Sequence, residues 1–106
     1  GMNYHASIAA AKGAVEGLCR SLAAEYAGAG IRFNCIAPSL TDTPLAADLT
    51  NSAQKVEASA NRHPIKRIGT TTDMAAMASL LLSDEGSWIT GQVLGINGGL
   101  SSLRPL

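Results

Sequence analysis

Ile31-Arg32-Phe33-Asn34-Cys35-Ile36-Ala37-Pro38 is the stretch on which the fold turns. It alternates and then runs apolar, which predicts a short buried strand over 31–37. Pro38 stops that strand because it has no N–H to give to a ladder. Before it lies a long helical pattern. After it come a hydroxyl-rich loop, one or two short helices, a firmer helix and a second strand. Helix, strand, helices, helix, strand is the order of an α/β crossover, so the two strands are expected to be parallel. Parallel sheets are buried on both faces, so two strands alone make an incomplete sheet.

The helical pattern upstream covers residues 5–27. Ile8, Ala11, Val15, Leu18, Leu22 and Tyr26 recur at spacings of three and four, forming one apolar stripe. Ala6, Ala9, Ala10, Gly13, Ala14 and Gly17 form a second face of small residues. Each glycine costs up to about 1 kcal/mol against alanine inside a helix, so another backbone is expected close by. That backbone is either in the same chain or in a second subunit. Gly28-Ala29-Gly30 ends the helix, since glycine suits a left-handed cap.

Downstream, Ser39 to Pro44 lies at a strand's carboxyl end, where ligands bind in parallel α/β sheets. The segment from Pro44 to Asn61 holds a weak stripe of Leu45, Leu49, Val56 and alanines, and could act as a lid. Thr70 or Thr71 can cap a helix over 72–83, with Asp73 in its first turn and Met74, Met77, Leu80 and Leu81 on its inner face. Gln92-Val93-Leu94-Gly95-Ile96 is the second strand, closed by Asn97-Gly98-Gly99. The tail from Leu100 to Leu106 has no period and is expected to lie against a surface or a neighbour.

The bulk numbers narrow the partners. The chain has 106 residues and a formal net charge of +0, so there is no electrostatic case for nucleic acid or an anionic membrane. Aromatics are 4%, too few to stack bases. No stretch approaches the roughly 20 apolar residues of a membrane span, and no signal peptide is visible, so a cytoplasmic setting is expected. Cys19 and Cys35 lack metal-ligand spacing and read as buried thiols; no metal site is expected. Gly1 before Met2 resembles a tag-cleavage scar, which would make Met2 the encoded start.

Several segments together resemble the C-terminal part of a short-chain dehydrogenase/reductase. They are Ala11-Lys12-Gly13-Ala14-Val15-Glu16-Gly17-Leu18, Ser21-Leu22-Ala23-Ala24-Glu25 and Ile31 to Pro38 with Thr43-Pro44. Arg67-Ile68-Gly69 with Asp73, Leu81-Leu82-Ser83-Asp84, and Thr90-Gly91-Gln92 to Gly98-Gly99 follow in order. The resemblance implies a portion of a Rossmann-like doubly wound fold, so that residues 1–106 form one partial domain. It also implies NAD or NADP as cofactor and hydride transfer to or from a carbonyl, an alcohol or an activated alkene.

The family's Gly-rich phosphate turn, ribose-reading residue and catalytic serine have no counterpart in these residues. The resemblance therefore implies a fragment inactive alone, which a dinucleotide-binding half would complete. Lys12 matches the family lysine that holds the ribose and lowers the catalytic tyrosine's pKa. The tyrosine slot four residues earlier is Ile8, which has no proton to give. Tyr4 is a substitute eight residues before Lys12, about 12 Å along a helix axis at the ordinary rise. His5 reads as an exposed helix-start residue. Pro38 and Ser39 match the turn beside the nicotinamide ring, with Ser39 where the family has glycine. Thr41 and Thr43 match the positions that meet the carboxamide and phosphate.

The alternative is a non-catalytic helical oligomerisation domain. Under either reading a homo-oligomer is expected, through helix 5–27 and the second-strand region.

Overall fold

A computed structural model describes residues 1–105 of the chain. The tail expectation for Leu106 lies outside the described residues. The elements are α1 (Ala6–Tyr26), β1 (Cys35–Pro38), α2 (Ala47–Thr50), α3 (Ala53–Arg62), α4 (Thr71–Leu82) and β2 (Val93–Ile96). Single 3-10 turns occupy Ala27–Ala29, Pro44–Ala46 and Asp84–Gly86.

β1 and β2 pair in parallel, with Cys35 opposite Val93 and Pro38 opposite Ile96. The long connection between them carries α2, α3 and α4, as a parallel crossover requires. Successive β1 side chains point to opposite faces, so the one strand has two kinds of neighbour. The Cys35 thiol faces α1, 3.9 Å from the Val15 carbonyl oxygen. Ile36 faces the other way and shares a groove with Ala78 and Leu81 of α4. Helix, sheet and helix thus stack as the three layers of a doubly wound α/β fold. The architecture is the α/β arrangement with parallel strands expected from the sequence.

The strand predicted over 31–37 starts late. Ile31–Asn34 runs beside Ile89–Gln92 without becoming part of the sheet. Gly91 sits at φ +69, which breaks the regular ladder there. Side chains supply most of the bonds instead. The Phe33 amide donates to the Thr90 hydroxyl at 3.2 Å, and the Asn34 side chain donates to the Ile89 carbonyl at 2.9 Å. Arg32 donates to the Leu81 carbonyl at 2.6 Å and to the Ile89 carbonyl at 3.1 Å. The Leu81 carbonyl lies in the last turn of α4, where carbonyls lack helical partners and a cation is favoured.

α4 is finished at its start by a full capping box. Thr70 accepts from the Asp73 amide, and Asp73 accepts from the Thr70 amide at 2.8 Å. Of the two threonines considered, Thr70 is the cap. The inner face is the expected one: Leu81 is buried and Met74, Met77 and Leu80 are half-buried. Gly30 takes the left-handed conformation, φ +74, and closes the 3-10 turn that extends α1.

The apolar stripe of α1 is a correction. Ile8, Val15, Leu18 and Tyr26 are all exposed, and the residues α1 buries are Cys19 and Ala23. Only the C-terminal end of the stripe finds cover among the described residues, where Leu22 is half-buried and the Tyr26 ring lies 5.8 Å from that of Phe33. Gly13 and Gly17 have no atom within 4 Å of where a side chain would begin, so none of the described residues lies against the small-residue face. Leu45 and Leu49, read as part of an inner stripe, are likewise exposed. The tail residues 101–105 are exposed as well.

Candidate functional site

The loop after β1 is held by its own hydroxyls. Thr41 donates to the Ser39 carbonyl at 3.0 Å, and the Thr43 hydroxyl accepts from the Ala46 amide at 3.3 Å, capping the turn that follows. The far side is pinned by the Arg67–Gly69 segment. The Gly69 amide donates to the Leu40 carbonyl at 2.9 Å, and the Asp42 amide donates to the Gly69 carbonyl at 3.0 Å. A side chain at Gly69 would begin 3.1 Å from the Thr41 hydroxyl and 3.2 Å from the Met74 methyl, so either neighbour would have to give way to admit it.

This pinning opens a groove of about 540 Å³ at the carboxyl end of β1. Pro38, Ser39, Thr41 and Thr43 line one wall, with Leu49 and Met74 opposite. The structure therefore brings together four of the residues singled out from the sequence. It leaves the other two apart from that groove. Lys12 is exposed in the second turn of α1. Tyr4 precedes the helix at φ +62 and its side chain is fully exposed. The two-turn helical relation between Tyr4 and Lys12 does not hold, because α1 begins only at Ala6. His5 is not a side-chain cap; it bonds the Asn3 carbonyl oxygen at 2.6 Å.

Sequence reasoning passed over His63. It is 2% exposed, the most buried polar residue among the described residues. Its Nδ1 lies 2.8 Å from the Ser59 carbonyl oxygen and its Nε2 lies 2.8 Å from the Ser39 hydroxyl. A carbonyl only accepts, so Nδ1 carries the ring proton of the neutral imidazole. Nε2 is then an acceptor, and the Ser39 hydroxyl donates to it. The available signal was a histidine directly before a proline at a helix end, which by itself says only that a helix stops there. On the far side of Ser39 a second cleft of about 360 Å³ is lined by His63, Ile65, Ile96 and Gly98.

Two further features are electrostatic. Arg67 grips Asp73 through two bonds of 2.6 and 3.0 Å. That guanidinium first, and the Thr70 amide and hydroxyl second, hold the Asp73 carboxyl well below the usual carboxylate range. The same pairing raises the Arg67 pKa. Burial first, and then the neighbouring Cys19 thiol, push the Cys35 thiol up, which keeps it protonated and unreactive at neutral pH. Cys19 is buried as expected and Cys35 is half-buried; both are free thiols. No described helix is long and apolar enough to cross a membrane.

Comparison with known proteins matches this arrangement to one family. The sequence profile described as enoyl-(acyl carrier protein) reductase covers residues 1–101. The chain is 36% identical to 2-(S)-hydroxypropyl-CoM dehydrogenase 3 of Xanthobacter autotrophicus, over 97% of this chain and 42% of that enzyme. It is 41% identical to a 3-oxoacyl-(acyl-carrier-protein) reductase of Thermotoga maritima, over 89% of this chain and 37% of that one. In three dimensions it superposes on a gluconate 5-dehydrogenase of Burkholderia cenocepacia, solved with NADP and tartrate. That match has a TM-score of 0.85 and 33% identity, and covers 93% of this chain and 39% of the other. The chain spans about two fifths of the length of the relatives it matches. With a profile match over nearly all its residues and the matching α/β layers, the chain belongs to the short-chain dehydrogenase/reductase family of oxidoreductases.

Proposed function

We propose that this chain is the substrate-side part of an NAD(P)-dependent oxidoreductase. It moves a hydride between a nicotinamide dinucleotide and a carbonyl or alcohol when a dinucleotide-binding half completes it, and it is inactive alone. The observation that carries this reading is the hydroxyl-lined groove at the carboxyl end of β1, where α/β sheets bind ligands.

The residues fit only one end of such a cofactor. Pro38 and the backbone of residues 39–43 would border the nicotinamide, and Lys12 would hold the ribose. The hydroxyls of Ser39, Thr41 and Thr43 are each committed to partners within the chain, so the loop is preorganised rather than waiting for a ligand to order it. No run of these residues supplies a Gly-rich strand–turn–helix to cradle a pyrophosphate. The bound cofactor supplies the hydride; the chain's own work is to orient the ring and deliver a proton. Tyr4 is the candidate proton donor, since Ile8 occupies the family's tyrosine slot. A reducing cytoplasmic setting suits the two free thiols.

The exposed stripe of Ile8, Val15 and Leu18 and the open Gly13–Gly17 face support assembly into a homo-oligomer through α1. The second-strand region would add to that interface.

Titration with NADH and NADPH is expected to give no binding to this chain alone up to about 1 mM, roughly a −4 kcal/mol interaction. Supplying the preceding part of a relative in trans should restore binding and oxidation of NADPH with an added ketone. Lys12→Met should abolish turnover, and Tyr4→Phe should reduce it. A completed assembly that binds neither cofactor would overturn the proposal.

A further inference from the structure

The oxidoreductase reading uses the backbone at Ser39, but it gives no chemical role to the hydrogen-bond chain from the Ser39 hydroxyl through His63 to the Ser59 carbonyl. We propose that Ser39 is an activated hydroxyl that accepts an acyl group from small activated esters, with His63 as its base. The geometry has the three parts that such chemistry needs. A nucleophile, the Ser39 hydroxyl, lies 2.8 Å from the imidazole Nε2. The base is turned the right way, because Nδ1 is held by the Ser59 carbonyl oxygen at 2.8 Å and must carry the proton. A cleft of about 360 Å³ with apolar walls from Ile65 and Ile96 opens beside both.

Burial of His63 at 2% exposure fixes the ring, so that its tautomer and direction are set before any ligand arrives. Behind the imidazole stands a neutral carbonyl rather than a carboxylate, so the imidazolium formed during the step lacks the stabilisation of a full triad and the reaction is slow.

The step balances without any cofactor. The Ser39 oxygen attacks the ester carbonyl carbon while its proton passes to Nε2. The bond to the leaving alcohol breaks, and that alkoxide takes the proton back from the imidazolium. Water then repeats the sequence on the acyl-serine, releasing the carboxylic acid and restoring the hydroxyl. The cleft's size points to short acyl chains.

The test is incubation of the intact chain with p-nitrophenyl acetate, with peptide mass mapping of the acetylated residues. An acetyl group on Ser39 is expected, lost in Ser39→Ala and formed about a hundredfold more slowly in His63→Gln. No acetylation at Ser39, or an unchanged rate in His63→Gln, would overturn it. If His63→Gln does not fold, Ser39→Cys replaces it. The new thiol should be alkylated by iodoacetamide at pH 6 faster than free glutathione, because His63 draws its proton; a rate no faster than glutathione would refute the activation. Neither readout involves a dinucleotide, so failure here leaves the oxidoreductase proposal standing, and the reverse also holds.

Discussion

α1 and α4 flank the same strand, yet one is a finished element and the other is not. α4 has 12 residues, a capping box at its start, Arg32 on its last turn, and an inner face that packs where its sequence says it should. α1 has 21 residues, no side-chain cap, no acidic residue in its first turn and no basic residue in its last. It buries Cys19 and Ala23 while its larger apolar side chains face outward. Local sequence and tertiary environment agree for α4. For α1 they conflict, and that conflict is what motivates the proposed subunit contact. The contrast also separates the two kinds of glycine. Gly17 on α1 stands in open space, whereas a methyl at Gly86, which follows α4, would run into the Leu80 carbonyl oxygen.

The largest effect that would sharpen this contrast is at Leu81, the largest hydrophobic side chain the fold buries. Leu81→Ala should lower stability by about 2–4 kcal/mol, read as a fall in the urea midpoint. A loss under about 1 kcal/mol would mean that α4 is no better packed than α1.

Next come the glycines. Gly86→Ala should destabilise by about 1–3 kcal/mol through overpacking. Gly17→Ala should instead stabilise an isolated chain by up to about 1 kcal/mol, since helix propensity is the only term in play. If α1 is a subunit contact, Gly17→Leu should also reduce the mass measured by light scattering. A stable monomer in the parent chain would break the assembly reading altogether.

Thr70→Ala should remove about 1 kcal/mol by deleting the cap of α4. The matching change at Ser7 in the first turn of α1 should be near neutral, since that helix has no side-chain cap to lose. Thermal unfolding of both variants checks the pair.

The smallest effect is pH-dependent. Asp73 has its folded pKa lowered by Arg67 and Thr70, so its contribution is fully present above the unfolded carboxylate value, about pH 4. It is lost as pH falls from there toward the folded pKa. Asp73→Asn should flatten the acid limb of the melting-temperature profile below about pH 4. Both partners are solvent-facing, so salt should shrink the difference. An unchanged acid limb would show that the bidentate pair is idle.

The loop after β1 was legible because loops announce themselves by composition. Pro38, Ser39, Thr41 and Thr43 stand out as a proline and three hydroxyls at a strand end, and they do line one groove. Lys12 and Tyr4 were joined by assuming an unbroken helix, and the positive φ at Tyr4 severs that relation. His63 was illegible for the opposite reason. Its partners Ser39 and Ser59 lie 24 and 4 residues away, and only the Ser59 contact is local enough to read from spacing. Arg32 was equally hidden, since its acceptors are carbonyls 49 and 57 residues downstream, which no residue type reveals.

By itself the sequence determined what depends on near neighbours along the chain. These are the α/β order of elements, the parallel crossover, the cap at Thr70, the inner face of α4 and the glycine close of α1. Hydrophobic period and capping chemistry act within about one or two helical turns, so they are written in adjacent residues. Only the tertiary structure decided which face of α1 is covered, where β1 truly starts and which hydroxyl meets which imidazole. Those outcomes rest on close approach of segments distant in the chain, set by packing and by hydrogen bonds to backbone groups that every residue carries alike.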